Sequence, residues 1–106
     1  MHMPTADPIL MRFRAALRAL YGQRLERLVL FGSRARGDAG AGSDYDLAVF
    51  LDALPDRWGE LDRLADLRVQ MLDETGAFLD ARPYPAAAFA QATPLMHEIT
   101  RDGLEL

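Results

Sequence analysis

The chain contains no cysteine and no lysine, only two histidines and one tryptophan, and no apolar run long enough to span a bilayer. Without cysteine there is no disulfide framework and no thiolate metal site. Without a long apolar stretch or a signal-peptide pattern, the expectation is a cytoplasmic protein with no membrane association. Without lysine, any cationic side chain that meets a phosphate has to be arginine, which stays charged and offers a planar fork for bidentate pairing. The net charge is −4, unevenly spread, with +5 over residues 1–36 and −9 over residues 37–106. An acidic excess lacks the basic stripe expected of a protein that binds nucleic acid directly. At 106 residues, 50% hydrophobic and 26% charged, with no repeats and no low-complexity linker, the sequence predicts one globular domain over residues 1–106.

What is present is concentrated between Leu28 and Leu51, which reads LVLFGSRARGDAGAGSDYDLAVFL. Leu28–Phe31 is short and continuously apolar, the pattern of a strand buried on both faces, and Gly32-Ser33 stops it. Glycine at 32 lets backbone approach a bulky anion, and successive N–H groups over Gly32–Arg34, with the Ser33 hydroxyl, suit phosphate oxygens. A second apolar run, Leu47–Leu51, follows Asp44-Tyr45-Asp46. Side chains alternate along a strand, so Asp44 and Asp46 share one face with Cα atoms roughly 6.5 Å apart. Carboxylates so placed can straddle two metal ions, which in such sites sit roughly 3.5–4 Å apart. Magnesium is commonly held by one or two carboxylates together with the substrate's phosphates, so no all-protein cage is required. A lone Gly-Ser or Asp-x-Asp is ordinarily a solvated turn. The spacing of the two, with an apolar strand beside each, is what points to chemistry.

The flanking sequence predicts the frame. Asp7 and Pro8 read as helix cap and first helical residue, with Ile9, Phe13, Ala16, Leu17 and Leu20 at helical spacing and an end near Gly22. Arg12, Arg14 and Arg18 fall on the solvated side. A second helix over Arg57–Glu74 carries Leu61, Leu64, Ala65, Leu67, Met71 and Leu72 on one broad face. Arg68 falls inside that face, where it either snorkels to water or meets a carboxylate or a partner surface. Gly76 ends this helix, and Ala77–Arg82 follows as a short strand closed by Pro83 and Pro85, with Asp80 interrupting it. Thr93-Pro94 starts a last helix, with Leu95, Met96 and Ile99 inward and Gly103 as its stop, before a closing strand at Leu104–Leu106. His2 lies in the terminal segment, and His97 sits next to the last helix's apolar face with no sign of a catalytic role. The order predicts an α/β (α+β) fold, a small mixed sheet with flanking helices.

Gly32-Ser33-Arg34-Ala35-Arg36-Gly37, followed by Ser43-Asp44-Tyr45-Asp46-Leu47, resembles the signature of the DNA polymerase β-like nucleotidyltransferase superfamily, and within it the minimal nucleotidyltransferases (MNT) that act as antitoxins of HEPN ribonuclease toxins. The resemblance implies the smallest form of that fold, with the acids on adjacent central strands. It also implies Asp44 and Asp46 as ligands of two Mg²⁺ ions, with Asp80 as third carboxylate and Asp52 and Asp73 as weaker rivals. Gly32, Ser33, Arg34 and Arg36 would then hold the triphosphate of ATP. The implied activity is transfer of AMP to a tyrosine of the toxin, in a hetero-oligomer with it. A small-molecule, aminoglycoside-type adenylyltransferase and a catalytically silent antitoxin are the alternatives. The acidic 37–106 half leads one to expect a partner bearing Arg and Lys.

Overall fold

Asp7 caps the first helix as its residue type predicts: its carboxylate accepts a hydrogen bond from the Ile9 N–H at 2.9 Å, and α1 runs over Pro8–Tyr21. The computed structural model describes residues 7–37 and 44–106; His2, Ser43 and the Gly-rich loop over 38–43 lie outside them. The buried face of α1 is Leu10, Phe13, Leu17 and Tyr21, rotated from the predicted stripe, and Leu20 is 46% exposed. Both stripes share Phe13 and Leu17, and packing selects the one that also buries Leu10 and the larger Tyr21.

The chain turns at Gly22 and enters β1 (Leu25–Phe31), then a single helical turn, α2 (Ser33–Arg36). Beyond residues 38–43 come β2 (Tyr45–Leu51), α3 (Arg57–Thr75), β3 (Leu79–Pro85), α4 (Pro94–Asp102) and the short β4 (Leu104–Glu105). The sheet order is β3-β2-β1-β4. β1 is antiparallel to β2 and β4, whereas β2 and β3 are parallel, with α3 as the crossover that a parallel pair requires. The sheet is therefore mixed, as predicted.

Two predicted details change. The third strand begins at Leu79 and continues through Pro83 and Pro85, and it lies at the sheet edge, not at its centre. The Tyr45 N–H donates to the Phe78 carbonyl at 2.9 Å, so backbone groups of even-numbered β3 residues face β2. Pro83 and Pro85 then turn their nitrogens to the open edge, where a missing N–H costs no ladder bond.

Period-two alternation splits the core. Tyr45, Leu47, Val49 and Leu51 of β2 pack with Leu28, Leu30, α1 and α3 on one face, while Ala48 and Phe50 pack with Val29, Met96 and Ile99 on the other. Burying a Leu or Phe fully contributes about 1.5–3 kcal/mol relative to exposure, so both layers anchor the strands that carry the acids. Helix α3 buries Leu64, Leu67 and Met71 as predicted, but also Glu60, and it leaves Ala65 exposed. Glu60 is tolerated because Arg24 and Arg63 each donate to its Oε1, at 3.0 and 2.9 Å, which keeps the carboxylate paired. The neighbouring Tyr21 phenol is pushed upward in pKa by burial first and then by that carboxylate. No described helix is long and apolar enough to cross a membrane.

Candidate active site

The turn after β1 is built around a backbone conformation that only glycine adopts easily. Gly32 has φ 75° and ψ −158°, a region costing other residues about 1–3 kcal/mol. A Cβ placed there would also collide with a carboxylate oxygen of Asp46 and stand 3.2 Å from its Cγ. The close approach foreseen for a phosphate is thus made first to Asp46, and the Gly-Ser turn and the second acid of the motif are packed against each other. Phe31 and Asp46 are register partners in the β1–β2 pair, which is why the two ends of the motif meet. Ser33 opens α2, and Gly37 closes it in the left-handed conformation.

Parallel register sets the remaining acid. Asp46 pairs with Asp80, Ala48 with Arg82 and Phe50 with Tyr84, so Asp80 stands beside Asp46 on the neighbouring strand and on the same face. Burial raises the Asp46 pKa from the usual aspartate range, and the Asp80, Asp44 and Glu98 carboxylates raise it further, against a smaller opposing effect of Arg82. Asp44 is exposed at the mouth of β2. Asp80 is held at 3.4 Å by Arg82, and among the described residues no three carboxylate, imidazole or thiol groups converge as a ready-made metal cluster. The donor set nevertheless suits a hard cation: all of its groups are oxygens, and magnesium completes its shell with phosphates and water. Asp52 is at the opposite end of β2, bound to Arg24 at 3.3 Å, and Asp73 is on the exposed side of α3.

Glu98 was not foreseen. It lies on α4 between the buried Met96 and Ile99, and only the packing of α4 across the sheet brings its charge near Asp46. Nothing in its local spacing distinguishes it from a solvated helix residue.

The two arginines of the motif diverge. The Arg34 guanidinium carbon lies 3.9 Å from the centre of the Tyr45 ring, whereas Arg36 reaches Asp102 on α4 at 3.8 Å. The Tyr45 hydroxyl donates to Asp7 at 2.7 Å, and burial, followed by that bond, pushes its pKa up to about 12. Asp7 thereby ties the start of α1 to the strand that bears Asp46.

Beside the acids, between α3 and the open edge of β3, runs a groove of about 590 Å³. Asp44 and Asp80 stand at it together with Arg57, Arg68, Phe78 and Tyr84. Arg68, odd in the helical pattern, is half-buried here and forms no ion pair with any described residue.

The family model described as nucleotidyltransferase domain matches residues 10–84. No curated protein matches in sequence. Among solved structures, the chain is similar to a toxin–antitoxin crystallised with AMP-PNP, at TM-score 0.62 and 20% identity over 89% of this chain and 69% of that one. It is similar to a mutant of the toxin–antitoxin MntA-HpeT, at 0.61 and 18% with the same coverages. A putative nucleotidyltransferase from Sulfolobus solfataricus gives 0.53 and 17% over 99% of this chain and 87% of that one. At these identities the likeness is one of fold.

Proposed function

The chain belongs to the nucleotidyltransferase domain family, and on that premise we propose that it is an antitoxin that transfers AMP from ATP to a tyrosine of a HEPN ribonuclease toxin, with which it forms a hetero-oligomer. The observation that carries the chemistry is the meeting of the Gly32 turn, Asp46 and Asp80 at one end of the sheet. Support for the partner comes from the fold shared with toxin–antitoxin structures, one of them holding AMP-PNP.

Asp44, Asp46 and Asp80 are the residues that would hold two Mg²⁺ ions, which when bound offset triphosphate charge and make the acceptor hydroxyl a better nucleophile. The backbone around Gly32 and Ser33, with the Ser33 hydroxyl, binds phosphate oxygens, and Arg34 and Arg36 supply positive charge around the departing group. The tyrosine oxygen forms a bond to the α-phosphorus while the bond from that phosphorus to the bridging oxygen breaks. Pyrophosphate leaves with the electron pair, and the hydroxyl proton passes to water. Alignment of attacking and leaving oxygens is what this rigid constellation contributes. The proton affinity of Asp46 is raised by burial first and then by the neighbouring carboxylates, charge that a bound cation would offset.

The test is incubation with Mg-ATP and the cognate HEPN protein, then mass spectrometry of the separated toxin. An AMP adduct on tyrosine, with toxin that stays inactive after the antitoxin is removed, is the expected result. An unmodified but inhibited toxin means the chain works by occlusion, and an uninhibited toxin means the pairing is wrong.

A further inference from the structure

We propose that the groove between α3 and the β3 edge is where the acceptor protein docks, through an acidic segment whose carboxylates meet Arg57 and Arg68. The proposal deepens the transferase reading and rests on it for the role of Asp80. Arg57, Leu61 and Arg68 recur at helical spacing on α3 and all border the groove. Eleven residues of helix place the two arginines about 16 Å apart, the span of about five residues of extended chain.

Charge argues for the partner's chemistry. Of the acids in the negative half of the chain, Asp52, Glu60, Glu74, Asp80, Asp102 and Glu105 already pair with arginines. Arg57 and Arg68 make no ion pair with any described residue, so the groove offers cations where the charge sum of the sequence suggests anions. A half-buried guanidinium such as Arg68 is best satisfied by a carboxylate in bidentate contact. The remaining surface suits a protein: Phe78 is 60% exposed at the groove and Trp58, next to Arg57, is 78% exposed. Aromatic and arginine side chains of this kind dominate binding energy at protein interfaces.

The probe is a fluorescein-labelled peptide with one tyrosine flanked by glutamates, read by anisotropy against the full chain. A lysine-flanked counterpart and an RNA oligonucleotide of equal charge serve as comparisons. The acidic peptide is expected to bind, and Arg57→Glu/Arg68→Glu to weaken it by about tenfold or more, with binding of a fluorescent ATP analogue unchanged. Arg57→Gln/Arg68→Gln is expected to weaken it in the same sense, and serves if the charge reversal unfolds the chain. Affinity of either folded variant equal to that of the parent chain, or preference for the lysine peptide or the RNA, overturns the proposal. AMP transfer to the toxin at an unchanged rate by the double variant also overturns it while leaving the transferase reading intact. Arginine-dependent peptide binding without any transfer upholds the docking surface and removes the transferase reading.

Discussion

At the residue scale, Asp46 combines two properties that pull apart. Its carboxylate is partly buried among other carboxylates, so its folded-state pKa lies above its unfolded value. The unfolded chain therefore holds fewer protons in that range, and stability falls as pH rises from the ordinary aspartate value through the folded one. At neutral pH in metal-free buffer the ionised group is destabilising, and Asp46→Asn should melt at a higher temperature than the parent chain. The same substitution removes ligand charge while keeping shape, and adenylyl transfer should fall by orders of magnitude, as with Asp44→Asn. Near-normal transfer by both variants in magnesium would remove these acids from the mechanism. Gly32→Ala meets the strained backbone and the Asp46 carboxylate together, so urea melts should show a loss of about 1–3 kcal/mol alongside lost transfer. These residues were legible because motif spacing and strand alternation are local. Glu98 and the pairing of Arg36 with Asp102 were not, because the α4 that carries both acids is distant in sequence.

At the element scale, helix limits followed from caps that act over a few residues: Asp7-Pro8, Gly76 and Thr93-Pro94 all stand where predicted. Which stripe of α1 turned inward, and where β3 began, depended on neighbours. Pro83 and Pro85, which fit an edge strand, were read as a stop, whereas the parallel ladder continues through them. The tie between α1 and β2 gives a measurable consequence. Tyr45→Phe removes one hydrogen bond to Asp7 and should cost about 1 kcal/mol. Asp7→Ala removes that bond and the helix cap, for about 2 kcal/mol in total. Chemical denaturation of both variants checks the order: equal losses would mean that the cap contributes nothing, and an unchanged Tyr45→Phe that the tether contributes nothing.

At the scale of the whole molecule, the site is assembled from elements far apart in the chain, since Asp80 reaches Asp46 only after α3 has crossed the sheet. The fold class was legible in the order of elements, whereas the local charge at the groove was not, because pairing consumes acids that a sum counts as open. Chelation of divalent ions should abolish transfer and leave the circular dichroism spectrum in place, as no described core residue depends on a cation. The edge position of β3 has a consequence for life at high concentration. An unpaired strand is a template on which other chains can stack into aggregates, yet this edge borders the groove and cannot be capped by a helix. Pro83 and Pro85 remove two successive outward donors from it, so the edge beside the site stays open while offering another strand fewer groups to pair with. Pro83→Thr/Pro85→Thr should scatter more light on heating than the parent chain, with the folded site unchanged.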